Sequence, residues 1–167
     1  MIERILGISS PQEQEHLWQF YDEVFRPINE ETPIAQTYPK EEFLAWLADP
    51  RVIKFIAREG GKLIGLGLVA TDPSLDSWLS LPYFAKHFPG VPIRDFLILA
   101  VAPGHRNKHV AVALLRAMIN EVPKDGMGLF FHSKEVNPFL PRLAQIVEHG
   151  GIRQVIGTEV LVGYCWR

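Results

Sequence analysis

Cysteine is nearly missing from this sequence: Cys165 stands alone among 167 residues. A single cysteine excludes an intrachain disulfide and any zinc cluster built on several thiolates. Long apolar runs are missing too, and no stretch reaches the roughly 18 residues that a membrane-crossing helix needs. The opening residues, MIERILGISS, mix acid and base early and hold no long apolar centre, so they do not read as a secretory signal. Excess positive charge is absent as well. A formal charge of −2 argues against a general nucleic-acid binder, which needs a basic face to release counterions. No Ser-His-Asp grouping or metal-ligand spacing is apparent, so hydrolase and metalloenzyme chemistry find no support, and no metal is expected. These absences leave a cytoplasmic protein with no membrane and no nucleic-acid partner as the expectation.

The chain is long enough to bury about 70% of its unfolded surface as one domain. No repeat, low-complexity tract or linker divides it, so residues 1–167 are read as a single domain. Ile2 to Ile8 reads as a first or edge strand. Ser10-Pro11-Gln12-Glu13 has the form of a helix start, with serine as cap, proline at the first helical position and glutamate completing a capping box. Leu17, Phe20, Tyr21, Val24 and Phe25 follow at the spacing of one helical face. Pro27 is expected to end that helix, leaving Arg26 to Tyr38 as a surface loop. Pro39 opens a second helix with Phe43, Leu44 and Leu47 inward, closed by Asp49-Pro50.

Val52 to Arg58 and Leu63 to Thr71 read as strands joined by Glu59-Gly60-Gly61-Lys62, a hairpin signal. Gly65 and Gly67 inside the second strand predict a bulge or a close backbone approach. Asp72 to Pro92 holds four prolines and the aromatics Trp78, Tyr83, Phe84 and Phe88. A long structureless loop is uncommon in a compact domain, so Trp78 to Lys86 is expected to include a short helix. Beyond the next strand and helix, Met127 to His132 is a fifth strand. Asn137-Pro138 starts another helix with Leu140, Leu143, Ala144 and Val147 inward. Arg153 to Ile156 and Glu159 to Trp166 read as a terminal antiparallel pair.

One stretch organises the rest, FLILAVAPGHRNKHVAVALL from Phe96 to Leu115. An apolar run, Phe96 to Ala102, stops at Pro103-Gly104. Basic residues follow at His105, Arg106, Lys108 and His109, and a helix then begins. A strand that turns into a helix N-terminus directs several unpaired backbone N–H groups at one point. With the helix dipole and nearby cations, that point attracts an anion, phosphate in particular.

Leu99-Ala100-Val101-Ala102-Pro103-Gly104-His105-Arg106 resembles the central strand and pyrophosphate loop of the GNAT N-acetyltransferases, which read roughly L-x-V-x-P-x-x-R and continue Q/R-x-x-G-x-G/A into a helix. The order of elements is similar over the whole chain. The resemblance implies an α/β (α+β) fold with a mixed, mostly antiparallel central sheet of about six to seven strands, flanked by about four helices. It implies acetyl-CoA as cofactor, transfer of the acetyl group to a primary amine by direct attack, and a small-molecule or peptide amine as acceptor. Terminal strands of such proteins often pair or swap between subunits, which admits a homodimer.

The same resemblance assigns the backbone of Leu99, Ala100 and Val101 to the pantetheine arm. Backbone amides from Arg106, Asn107, Lys108, His109, Val110 and Ala111 would hold the pyrophosphate, with Arg106 and Lys108 adding charge, and Asn137 would contact the pantetheine. The motif departs from the family twice. His109 falls where the family has its first glycine, and Asn107 replaces a glycine that often follows the arginine.

Acetyl transfer needs a base for the attacking ammonium and a donor for the leaving thiolate. Candidate bases are Asp95, at the start of the central strand, and His132 and Glu135, at the end of the fifth. For Asp95 an exposed strand-end acid beside Arg94 is the plainer alternative, and for His132 a satisfied strand-end histidine. Many family members use a tyrosine of the last helix as the thiol's acid; Val147 occupies that position here. Cys165 reads as a small hydrophobe beside Trp166. The acceptor would meet the loop from Arg26 to Tyr38 and the aromatic stretch from Trp78 to Phe88. Glu30 and Glu31 would attract a cation or only solubilise the loop. Departures at His109 and Val147 keep a second reading open: a GNAT-fold protein without catalysis that binds a CoA ester or a protein partner.

Overall fold

A computed structural model describes residues 1–31, 37–106 and 109–130. Met1–Val136 form one compact unit and Asn137–Arg167 another, and every described residue belongs to the first. The expected last helix and terminal strand pair, with Val147 and Cys165, lie outside the described residues.

Five strands form one sheet in sequence order: β1 (Ile2–Ile5), β2 (Val52–Glu59), β3 (Lys62–Ala70), β4 (Ile93–Val101) and β5 (Met127–Phe130). Pairing is antiparallel from β1 through β4 and parallel between β4 and β5. Among the described residues four helices accompany it: α1 (Pro11–Glu31), α2 (Lys40–Ala48), α3 (Leu81–His87) and α4 (Val110–Ile119). The fold is therefore the expected mixed, mostly antiparallel one. Five strands are present among the described residues, against the six to seven expected for the whole chain.

Local chemistry accounts for the elements. The Ser10 hydroxyl accepts the Glu13 N–H at 3.4 Å, which is half of a capping box. The other half is missing because the Glu13 carboxylate pairs instead with Arg58. Leu17, Phe20, Tyr21 and Val24 are buried along one face of α1. This helix does not stop before Pro27 but carries that proline inside and runs to Glu31. A proline forfeits one intrahelical bond. Here it sits on an exposed face close to the helix end, and an Asp22–Arg26 ion pair bridges the turn before it. The expected loop is correspondingly shorter.

Gly60 and Gly61 close the β2–β3 hairpin with φ of 57° and 80°, the left-handed pair that a two-residue type I′ turn requires. Gly65 and Gly67 serve a close approach. A Cβ on Gly65 would lie 2.8 Å from Leu114 Cδ1 and 3.0 Å from Val110 Cγ1, and one on Gly67 would lie 2.8 Å from Met118 Sδ. Val110, Leu114 and Met118 recur every four residues on α4, so this helix beds directly on the backbone of β3. Leu66 and Leu68, pointing the other way by strand alternation, join Leu17, Tyr21, Phe43 and Leu47 in the main core. Helices α1 and α2 thus cover one face of the sheet and α4 covers the other.

Among the described residues, Lys54 is the one charged residue with no exposed surface. Its ammonium donates to the carbonyl oxygens of Leu6 (2.8 Å), Asp49 (2.6 Å) and Val52 (2.7 Å), tying the β1–α1 connection and the end of α2 to β2. Burial lowers its pKa to about 8, with the charge of Asp49 opposing the shift.

Candidate active site

Strand β4 brings the candidate residues together. Leu68 pairs with Ile98 and Ala70 with Asp95, so β4 spends one more residue than β3 between those two pairs. Such a bulge re-aims neighbouring side chains and is frequent beside active sites. Asp95 lies at this bulge, on the same face as Ala70 and therefore towards α1 and α2. It is buried, with 4% of its surface exposed, and is not the exposed strand-end acid of the plainer reading. Its neighbour Arg94 does not neutralise it. The Arg94 guanidinium donates to the carbonyl oxygens of Glu121, Thr71 and Ile93 at 3.1–3.2 Å.

Asp95 meets another acid instead. Asp76, also buried, follows a 3-10 turn, Pro73–Leu75, that begins with the Asp72 carboxylate accepting the Ser74 N–H at 3.0 Å. Asp76 accepts the Trp78 N–H at 2.9 Å, while the Trp46 indole N–H donates to Leu75 O at 3.2 Å and fastens the turn to α2. Held this way, Asp76 places a second acid where its charge acts on Asp95. Burial first, then that acid, push the Asp95 carboxyl up to about 8. Asp95 Oδ2 is buried and has no hydrogen-bond partner among the described residues.

Two more groups complete the cluster. The Tyr38 hydroxyl is raised by burial and then by the charges of Asp76 and Asp95, and Glu42 of α2 is raised by burial and then by Asp76. The Tyr38 ring lies 4.5 Å from Trp46 and 5.2 Å from Trp78, centroid to centroid. Trp78 remains 45% exposed, so the cluster has one face open to solvent.

At its other end β4 runs through Leu99, Ala100 and Val101, which pair with Gly67, Leu66 and Gly65 of β3. Then comes a 3-10 turn, Pro103–His105, and α4 begins. His109 stands just before α4 with φ 60° and ψ 9°, a left-handed conformation. This gives a physical reason for glycine at that position: glycine adopts positive φ without a Cβ penalty. Ala113 donates to His109 O at 3.0 Å, so the N–H groups of Val110, Ala111 and Val112 have no acceptor within the helix. Arg106 and His109 are exposed beside them, and a Cβ added to Gly104 would meet nothing within 4 Å. Helix amides without an acceptor inside α4, two exposed basic side chains and open space suit a diphosphate. These residues fit acetyl-CoA. His105 sits behind the turn, its Nε2 3.1 Å from Glu59 Oε2, which links the turn to the β2–β3 hairpin.

The structure therefore gathers Asp95, Leu99, Ala100, Val101, Arg106, His109, Val110 and Ala111 along one strand and the turn that follows. Asn107, Lys108, His132, Glu135 and Asn137 lie outside the described residues. Glu30 is in the last turn of α1. The aromatic stretch divides: Phe84 is buried under α3, whereas Trp78 and Tyr83 are exposed. Sequence reasoning missed Asp76, Tyr38 and Glu42. The available signal was slight, an acid between Leu75 and Trp78 in a proline-rich segment and a tyrosine just before Pro39. Among the described residues no group of acids, histidines or cysteines could hold a metal ion, and no helix is long and apolar enough to cross a membrane.

Comparison with known proteins agrees with this geometry. No curated protein matches the chain. Among solved structures, an aminoglycoside acetyltransferase from an uncultured soil metagenomic sample, in complex with sisomicin, has 14% identity and a TM-score of 0.58, covering 98% of this chain and 96% of that one. A ribosomal-protein-alanine N-acetyltransferase from Brucella melitensis biovar Abortus 2308 has 15% identity and a TM-score of 0.56, covering 98% and 99%. AAC(6')-Iy, in complex with a bisubstrate analogue of CoA and acetylneamine, has 17% identity and a TM-score of 0.55, covering 100% and 97%. At such identities the likeness is one of fold. The profile of the acetyltransferase (GNAT) family, by contrast, matches the sequence itself over residues 14–140, from α1 past β5. With the strand, turn and helix of that family in place, the chain belongs to the GNAT acetyltransferases.

Proposed function

We propose that this protein transfers an acetyl group from acetyl-CoA to a primary amine by direct attack, in the cytoplasm, with Asp95 as the general base. The observation that carries the proposal is the position of Asp95: a buried carboxyl at the bulge of β4, the strand that leads into the anion-binding turn. Acetyl-CoA supplies the acyl group as an activated thioester. The amides of Val110 and Ala111 at the start of α4, with Arg106 and His109, would hold its diphosphate, and the backbone of Leu99 to Val101 would align its pantetheine arm. Asn107, Lys108 and Asn137 belong to the same proposed binding surface by their place in the motif.

An amine reaches the enzyme as an ammonium and cannot attack until it loses a proton. An ordinary carboxylate, with a pKa near 4, is a weak base for that task. Burial and Asp76 bring Asp95 to about 8, much nearer the pKa of an ammonium, so its ionised form takes the proton at smaller cost. The acceptor is a small molecule or a peptide bearing a primary amine. His132 and Glu135, at the end of the fifth strand by sequence, are the remaining candidates for proton transfer.

A thermal shift with acetyl-CoA, followed by release of free thiol across a panel of amines, tests the proposal. Ligand at 100 times Kd stabilises a fold by about 2.7 kcal/mol, which should raise the Tm by roughly 5–10 °C. No shift at millimolar acetyl-CoA refutes cofactor binding. A shift with no thiol release for any amine points to the non-catalytic alternative.

A further inference from the structure

The turn between β4 and α4 is sparsely tied to the rest of the fold. The Ala102 N–H donates to Ile64 O at 3.0 Å, the last backbone bond that joins this strand to β3. Past it, among the described residues, the backbone of the turn bonds only to itself. The His105 N–H donates to Ala102 O at 2.8 Å, and the Arg106 N–H reaches Pro103 O at 3.5 Å, a long contact. A side chain supplies the missing tie. His105, the last residue of the 3-10 turn, has a side chain only 17% exposed and turns its Nε2 to Glu59 Oε2 at 3.1 Å. A carboxylate only accepts, so Nε2 carries the hydrogen and donates it. Nδ1 of the same ring is buried with no partner among the described residues, so the polar anchoring of the ring runs through Nε2 alone. Glu59 is itself held in place. It ends β2 opposite Lys62 across the Gly60-Gly61 turn, and its neighbour Arg58 pairs with Glu13 of α1.

We infer that His105 is a positioning residue for cofactor binding, which braces the anion-binding turn against the β2–β3 hairpin through Glu59. The inference rests on the acetyl-CoA reading in one respect, that the anion held at the turn is the cofactor's diphosphate. In this role His105 acts through the turn and not on the phosphate. Its ring fixes where the turn stands, and so where Arg106 and the first amides of α4 point before the ligand arrives. A site ordered in advance loses less conformational freedom on binding, so the brace acts on affinity. Asp95 lies near the other end of β4, so the chemical step does not depend on the brace. The Glu59 side chain is 62% exposed, and water competes for the bond. Its loss is therefore worth a few-fold in affinity and not orders of magnitude.

The test uses the full chain, with acetyl-CoA titrated calorimetrically and amide hydrogen exchange followed over residues 104–113 without ligand. His105→Ala and Glu59→Ala should each weaken acetyl-CoA binding about two- to fivefold and quicken exchange in that segment, and the double variant should be no worse than the weaker single one. His105→Gln, whose amide reaches the place of Nε2 and still donates, should stay within about twofold of wild type. In turnover with a primary amine, the KM for acetyl-CoA should rise in both alanine variants while kcat holds. Glu59 is exposed, so Glu59→Ala tests the brace even where His105→Ala fails to fold. Losses that add in the double variant, a His105→Gln as weak as His105→Ala, or a lowered Tm with affinity unchanged, overturn the brace. The two readings fail separately. Exchange that quickens in both alanine variants of a chain that binds no acetyl-CoA refutes the cofactor reading alone. Acetyl-CoA binding that is indifferent to both substitutions refutes the brace alone.

Discussion

Asp95, buried at the bulge of the central strand, feels the charge of Asp76, itself buried at the end of a 3-10 turn. Burial first, and then that neighbouring acid, push the Asp95 carboxyl up to about 8. Two buried acids without a basic partner are a poor device for stability and a good one for binding and moving a proton. The proposed role of Asp95 as base follows from that relationship.

Stability should fall as pH rises. The folded-state pKa of Asp95, about 8, lies above the value near 4 of an unfolded aspartate, so between those limits the folded chain binds the extra proton. The contribution is whole below about pH 4, declines through the neutral range and is lost above pH 8. Urea unfolding at pH 5 and pH 9 should differ by a few kcal/mol, and Asp95→Asn should remove most of that difference. A wild-type slope that persists in Asp95→Asn would assign the effect to another group.

The glycines of β3 should tolerate a methyl group unequally. At Gly67 the clash falls on the sulfur of Met118, the mobile end of an unbranched side chain that can swing away. At Gly65 it falls on Leu114 and on Val110, whose branched Cβ is stiff at χ1. Gly65→Ala should cost about 1–3 kcal/mol and Gly67→Ala less than about 1, measured by urea unfolding. Val110 is also the first residue of α4, so Gly65→Ala should weaken acetyl-CoA binding more than Gly67→Ala does.

At His109 the backbone conformation makes a sharper prediction than the side chain. A left-handed residue with a Cβ costs about 1–2 kcal/mol, against about 0.5–1 kcal/mol for the extra freedom that glycine loses on folding. His109→Gly should therefore leave stability equal or slightly higher, and His109→Ala, which keeps the Cβ, should leave it close to wild type. Thermal midpoints of the two variants, compared with wild type, decide the matter. A midpoint lowered equally in both variants would show that the ring, not the backbone, governs this position.

The strongest sequence signals were local ones. The stripe from Leu17 to Val24, Gly60-Gly61 and the Pro103-Gly104 turn each state a backbone geometry within a few residues, and each is found as expected. Pro27 misled because a proline's cost depends on its distance from the helix end and on what faces it, which its immediate neighbours do not reveal. Lys54 was invisible for a related reason. In sequence it is a charge interrupting an apolar strand, and only the three carbonyl oxygens converging on it explain why it is inside. Asp95 was named as a base, yet its burial and its partner come from the β4 bulge and from a turn that lies far away in sequence. Sites assembled by long-range packing leave few marks in any one segment, so Asp76, Tyr38 and Glu42 went unnoticed while the strand beside them did not.

The pH dependence of kcat/KM for thiol release from acetyl-CoA, with a primary amine as acceptor, tests the central claim most directly. The wild-type rate should rise with pH through an inflection near 8. Asp95→Asn should lose about 10²–10⁴-fold and the inflection with it, whereas Asp76→Asn should move the inflection down by relieving the repulsion on Asp95. An Asp95→Asn enzyme that keeps the wild-type rate and the same inflection would contradict the account.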